Sequence, residues 1–507
     1  MPRRACDRCY AIKAKCSPGR GPDTCRRCER LGHACGTNRS MRRVGRPKAT
    51  RAASSSPSQS STNSSTSAED YGTIASPILG SIPLPESPSP NTDPSYLPLL
   101  SFSLSLIPQP HPIPSLSTSL SHPSESTIIE FLFSTTHFIP HFIVGPSFAG
   151  SMQHSLQTRF FIACETVLEG FVACAAEFAH RSGLHYLTSC NLNPDPVSGS
   201  EEHKEKNMAR SAHAIRKLRN LQATNLAEVA TMLALGTSIL TYDLIAALDG
   251  AGKICRYLLS QVKPWYGRLV RLPEFDFELN CLVYLDTVDC LIRREVPVLR
   301  HEIREEGVVD RYIGLVYSLL PLLYDVCVLG WEVKRAGGFP QGEEQTLKER
   351  WESVRRQIAD WQPSPPENFT SIYTPKEVIS MCTQVNMNRQ LGLLLLHRHR
   401  YPFGTEDLAG MALAEGISAE VETRETLVGE SPFKIGFPSL VAGFELVDLA
   451  ARERLINRHF NATSGRYACP HKVMRRLLRL VWRERDTKEN VSWFDLVPVL
   501  PSFGYIA

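Results

Sequence analysis

CDRCYAIKAKCSPGRGPDTCRRCERLGHAC, residues 6–35, spaces six cysteines as Cys6-x2-Cys9-x6-Cys16-x8-Cys25-x2-Cys28-x6-Cys35. The half-motif Cys-x2-Cys-x6-Cys occurs twice, and Arg and Lys thread both copies. So short a segment buries too little apolar surface to offset its chain entropy, and free thiols would leave it unfolded. Zinc ligation by thiolates supplies the missing folding energy, because metal binding and folding then become one event. Four of these sulfurs suffice for one zinc. Six suit two zincs if two thiolates bridge, since six sulfurs then fill eight coordination positions.

Two zincs carry +4 and six thiolates −6, so such a cluster is itself negative. Arg8, Lys13, Lys15, Arg26, Arg27 and Arg30 lie close enough in sequence to offset that charge and favour thiolate over thiol. Each Cys-x2-Cys pair is expected to open a short helix, over Asp7–Lys15 and Arg26–Leu31, with turn chemistry at Ser17–Asp23 between them. A disulfide-stapled secreted module is the competing reading. It is disfavoured because Met1-Pro2-Arg3-Arg4 leads into Cys6 with no apolar signal region. A metal knuckle without a nucleic-acid role is the other alternative, disfavoured by the density of basic residues.

Residues 6–35 resemble the Zn(II)2Cys6 binuclear cluster family, the zinc-cluster transcription factors of fungi. The resemblance implies two Zn2+ ions per chain, with Cys6 and Cys25 bridging and Cys9, Cys16, Cys28 and Cys35 terminal. It also implies that the end of the first helix enters the major groove and reads CGG-like triplets. On that mapping Lys13 reads a base with Ile12 beside it, while Arg8 and Lys15 make phosphate or cluster-proximal contacts. Tyr10 and Ile12 stand where the family often has basic residues, and Ser17 stands where Asp is frequent.

Residues 1–50 hold fourteen Lys and Arg against Asp7, Asp23 and Glu29, a net charge of +11, whereas the whole chain carries only +4. Phosphate attraction is therefore concentrated in the head. Arg39, Arg42, Arg43, Arg46 and Lys48 extend it into a basic arm, residues 37–50, suited to DNA-backbone contacts and to the import machinery of the nucleus. Gly45-Arg46-Pro47-Lys48 matches part of a minor-groove hook, but Val44 replaces the preceding Arg, and a plain basic linker is the better reading. Residues 51–123 are rich in Ser, Thr and Pro and contain Arg51 as their only Lys or Arg, so a disordered linker is expected. Within it, 97–110 (LPLLSFSLSLIPQP) is apolar enough to dock on a partner or on the body, and Ser-Pro pairs at Ser56, Ser76, Ser87 and Ser89 are phosphorylation candidates. No leucine heptad follows Cys35.

Residues 124–507 read as an all-helical regulatory domain, one body or two lobes split near 340. Helical periodicity marks His154–His180, Glu201–Arg219, Leu226–Leu259, Leu279–Arg300, Tyr312–Gly330, Glu344–Asp360, Pro375–His399, Leu440–His459 and His471–Arg485. No charge-free apolar stretch of membrane-spanning length occurs, so no membrane partner is expected. Catalytic patterns are incomplete. His301-Glu302-Ile303-Arg304-Glu305 lacks the second His of a zinc protease, and Gly145-Pro146-Ser147-Phe148-Ala149 lacks the last Gly of a nucleophile elbow. His397-Arg398-His399 suits a helix C-terminus better than a metal. The remaining cysteines stand singly among apolar neighbours, as core residues do.

Three stretches, 231–258 (TMLALGTSILTYDLIAALDGAGKICRYL), 350–366 (RWESVRRQIADWQPSPP) and 437–460 (FPSLVAGFELVDLAARERLINRHF), resemble the middle regulatory region of the same fungal factors. The implied protein is not an enzyme. It is a nuclear, sequence-specific, DNA-binding regulator of RNA polymerase II transcription, with activation favoured over repression. Its partners are double-stranded DNA, transcription coregulators and a second copy through the helical domain. Trp493-Phe494-Asp495-Leu496 suits either coactivator contact or closure of the helical core.

Overall fold

The computed structural model describes Cys16, Cys25 and Cys28 and residues 123–184, 198–339, 345–429, 436–460, 468–488 and 491–499. The helices named below all lie in one compact unit. Among the described residues every regular element is helical, and β structure is limited to isolated bridge residues, such as the pair Asp310 and Gly314.

The chain enters through α1 (Pro123–Leu132) and the long α2 (Ala149–Arg181), whose backbone breaks at Ala163 with φ −133° and ψ 32°. Next come α3 (Ser198–Asn220) and α4 (Leu226–Ala246). α4 is apolar almost all round, as a helix packed on every side must be. Gly170 of α2 meets α4 where a Cβ would lie 2.4 Å from Ser238 Oγ, so only glycine allows this approach.

The expected helix over Leu226–Leu259 is two helices. Asn225 caps α4, its side chain accepting the Glu228 N–H at 3.0 Å, and Ala247 ends it in the left-handed region at φ 56°. Asp243 Oδ2 then accepts the Gly250 N–H at 3.0 Å and turns the chain into α5 (Ala251–Val262).

α6 (Asp276–Arg293) is buried along nearly its whole length. It stops seven residues before the expected Arg300, because Arg294 adopts φ 51° and Pro297 follows. The helix expected from Tyr312 begins instead as a 3₁₀ turn, Leu315–Leu319, and becomes α7 (Leu320–Ala336), with Pro321 in its first turn and Gly337 as left-handed cap.

α8 (Gln345–Asp360) lays Trp351 into the core, its indole N–H donating to Leu396 O at 2.9 Å. That carbonyl belongs to α9 (Pro375–Arg400), which starts with a reciprocal capping box between Thr374 and Glu377. α10 (Asp407–Val428) lies outside the helices expected from periodicity; it packs along α9 through Gly410, Ala414, Ile417, Val421, Arg424 and Val428.

The expected helix at Leu440–His459 also divides, into α11 (Gly436–Phe444) and α12 (Leu449–His459). Asp448 restarts the chain, its carboxylate accepting the Ala451 N–H at 2.8 Å. α13 (Ala468–Thr487) runs back along α12, tied by Arg452 to Asp486 at one end and by Phe460 against His471 at the other. A short 3₁₀ turn, Trp493–Val499, closes the described chain.

One continuous apolar core runs from Ile128 to Phe494, so no second lobe starts near 340. By length and composition, α4 and the stretch Leu315–Ala336 could each cross a bilayer. In the fold their apolar surface is used otherwise: more than half of each is buried against neighbouring helices.

Candidate functional site

Of the residues expected to bind metal or DNA, the structure describes Cys16, Cys25 and Cys28. It brings the three together: Cys25 and Cys28 are buried against one another, and Cys16 packs half-buried beside them. The Cys28 N–H donates to Cys25 Sγ at 3.4 Å, and Cys28 is helical. An amide N–H donated to sulfur favours the thiolate form. Thiolate sulfur is the donor that a soft, tetrahedral ion such as zinc takes, but these three cysteines by themselves are not arranged to hold one. Cys6, Cys9 and Cys35, with Arg8, Lys13, Lys15, Arg42, Arg43, Arg46 and Lys48, lie outside the described residues.

The cysteines of the body behave differently. Cys174, Cys255, Cys281, Cys290 and Cys327 are buried, and burial pushes the thiols of Cys174, Cys255, Cys290 and Cys327 upward, away from the reactive thiolate. Cys255 donates to Leu282 O at 3.2 Å and Cys327 to Thr287 O at 3.6 Å, the contacts of packed thiols. Cys382 departs from this pattern and is exposed. Among the described residues no group of three His, Cys, Asp or Glu is arranged to hold a metal ion.

Each incomplete catalytic pattern has a structural duty. Ser147 donates its amide and its hydroxyl to the two oxygens of Glu377, both at 2.8 Å, which fastens the 3₁₀ turn Pro146–Phe148 to the start of α9. His301 is 2 % exposed, stands edge-on to Tyr317 at 4.5 Å, and has neither ring nitrogen hydrogen-bonded. Burial pushes its pKa down to about 4, so the ring is a neutral packing group.

His397, Arg398 and His399 form a latch at the end of α9. His397 Nε2 lies 3.0 Å from Glu406 O. Arg398 makes a bidentate pair with Glu445 at 2.8 and 2.5 Å, meets Asp407 at 2.9 Å, and donates to the carbonyls of Tyr401, Pro402 and Thr405 at 3.2–3.3 Å. Arg398, more than either histidine, closes the helix end. Sequence position hinted at the cap, but nothing local to 397–399 could reveal its partner 47 residues away.

The aromatic strip near the carboxy end seals the core. Trp493 and Phe494 are buried, Phe494 stacks on His399 at 4.6 Å, and Trp493 lies 4.9 Å from Phe444. Arg294 reaches over Phe494 and pairs with Asp495 at 2.6 Å. Closure, rather than display to a partner, is what these side chains do in this structure.

A family model described as "Fungal specific transcription factor domain" matches residues 154–500, about two thirds of the chain and nearly all of the helical body. No curated protein and no solved structure gives a significant match.

Proposed function

The chain belongs to the fungal specific transcription factor domain family, and from that premise we propose that it is a zinc-cluster activator of transcription, targeted by residues 6–35 to CGG-like half-sites. Family membership carries the general role in DNA-bound regulation and marks the helical body as a regulatory rather than catalytic module. The finer reading rests on one observation, the doubled Cys-x2-Cys-x6-Cys spacing joined to such a body.

Cys6, Cys9, Cys16, Cys25, Cys28 and Cys35 would hold two zinc ions, Cys6 and Cys25 as bridges. Cys25, Cys28 and Cys16 share one packed cluster, and thiolate sulfur is the donor type that zinc takes. When bound, zinc supplies structural cross-linking and no reaction. Lys13 would then face base edges, which carry sequence information, while Arg8, Lys15, Arg42, Arg43, Arg46 and Lys48 meet phosphates, which position the protein without reading it. The same basic arm suits nuclear import. A second copy would join through the body, where Leu408, Val447 and Leu449 leave apolar surface exposed.

Elemental analysis of the full chain tests the metal assignment. The expected result is two zincs per chain, with Cys25→Ala losing both and Cys9→Ala retaining one, while the helical content of the body persists. One zinc per wild-type chain, or equal loss in the two variants, would overturn the binuclear reading. Selection of bound oligonucleotides tests the half-site, and enrichment of sites lacking a CGG-like triplet would overturn that part alone.

A further inference from the structure

A cavity of about 60 Å³ lies between the end of α1, the turn around Ile139, α2, α4 and the start of α6. Leu132, Phe138, Met152 and Phe171 make most of its wall apolar. Into this shell the structure places one buried ion pair. Arg159 Nε donates to Glu278 Oε1 at 3.2 Å, Nη2 donates to Glu274 O at 2.9 Å, and the guanidinium sits 4.5 Å above the Phe275 ring. Glu278 is only 4 % exposed, and its second oxygen, Oε2, is buried with no hydrogen-bond partner. An acceptor left in that condition is costly unless something donates to it.

The other polar side chains on the wall ask for the same complement. Thr237, Ser238 and Thr241 of α4 each commit their hydroxyl proton to a backbone carbonyl of the preceding turn, at 2.7 Å to Leu233 O, Leu235 O and Thr237 O. What remains on those oxygens is lone pairs. The carboxylate is already neutralised by Arg159, so a cationic guest would leave an unbalanced charge in an apolar shell; a neutral donor avoids that cost. A water takes roughly 10–15 Å³ of such volume, so the cavity has room for about four or five heavy atoms. The backbone of α2 is interrupted at Ala163, between Arg159 and Phe171, so the helix that supplies both side chains is not a rigid rod at this wall.

We propose that this cavity binds a small, neutral, mainly apolar molecule carrying a hydroxyl, with the O–H donated to Glu278 Oε2. Occupancy would tie α1, α2, α4 and α6 to one guest and couple their packing to its concentration. The inference concerns the helical body alone and stands apart from the reading of the cysteine head.

Ligand-observed NMR titration of the full chain, with 1-butanol and 2-butanone as probes of matched size, tests it. The expected result is saturable binding of the alcohol at least about tenfold tighter than of the ketone, which lacks the donor. Ala234→Leu, which fills the cavity from α4, is expected to abolish binding of both. Glu278→Gln keeps an oxygen for Arg159 and turns the other terminus into an amide donor, so the preference is expected to shift toward the ketone. Absence of saturable binding by wild type would mean that water alone fills the cavity and would overturn the proposal. So would equal affinity for the two probes, or binding that survives Ala234→Leu.

Discussion

Replacing Arg398 by Met removes the centre of the latch at the end of α9 while keeping much of the side-chain volume. The Arg398 and Glu445 side chains are 2 % and 1 % exposed, so the variant leaves a carboxylate buried beside an apolar group. Removing one partner of such a pair costs about 3–5 kcal/mol. The carbonyls of Tyr401, Pro402 and Thr405 also lose a donor. Those residues are half-buried, so water replaces part of what is lost and this contribution stays near the low end of about 1–3 kcal/mol. Asp407 keeps Arg485 at 3.4 Å and adds little. The single variant should therefore lose on the order of 4 kcal/mol, enough to lower the urea midpoint of the body by roughly 1 M. The double variant Arg398→Met/Glu445→Met removes the orphaned charge as well and should recover about 3 kcal/mol of that loss. Unfolding followed by fluorescence of the buried Trp482 and Trp493 gives both numbers. A double variant no more stable than the single would refute the view that the unpaired Glu445 carries the cost.

Gly236→Ala places a Cβ 2.3 Å from a methyl carbon of Leu258 at the crossing of α4 and α5, and should cost about 1–3 kcal/mol in chemical unfolding; a neutral result would mean that the crossing has slack. His301, His397 and His399 are held neutral by burial, with pKa values pushed down to about 4, about 4 and about 3. Below pH ~6.5 the unfolded chain therefore binds more protons than the folded one, and stability falls as pH drops from there toward 4, by up to about 1.4 kcal/mol per pH unit for each ring. Asp276, pushed up to about 6 by burial, takes its proton in the folded state and opposes part of that loss. His301→Phe should accordingly stabilise more at pH 5 than at pH 8, and equal effects at the two pH values would exclude the histidine as a source of acid sensitivity. Lys13→Ala should lose discrimination between CGG-containing and scrambled duplexes by up to about 1–3 kcal/mol, whereas Arg42→Ala should weaken both alike; a Lys13 variant with uniform weakening would be a backbone contact instead.

Helices with a wide apolar face and clear end signals were legible in the sequence: α2, α3, α9 and α13 lie within a few residues of their expected bounds. Three long expected helices failed at their breaks, for a common reason. Ala247 and Arg294 take left-handed conformations that neither residue type advertises, and residues 445–448 leave the helix before Asp448 recaps it. Asp249-Gly250 and Pro297 were the available local clues, and the apolar periodicity on either side outweighed them. α10 carries no comparable signal, because its buried positions include Gly410, Ala414 and Arg424, which break the apolar stripe with small and charged residues. For the candidate site the balance is reversed. The cysteine spacing is a purely local signal and could be read directly, whereas the Arg159–Glu278 pair joins residues 119 apart and leaves no trace in either neighbourhood.

The closure of the body by Trp493 and Phe494 has a consequence for how the protein is made. These rings cover Phe444 and His399, while Asp495 holds Arg294, so helices that leave the ribosome early acquire their last neighbours only when this strip follows. At about 5–20 residues per second, the roughly 370 residues from α1 to Phe494 take on the order of tens of seconds to synthesise. Throughout that interval the nascent chain presents an unfinished apolar surface to the cytosol. Chaperone engagement during translation should therefore persist until the strip has emerged, and a messenger truncated just before codon 491 should yield a product that chaperones retain and proteases remove.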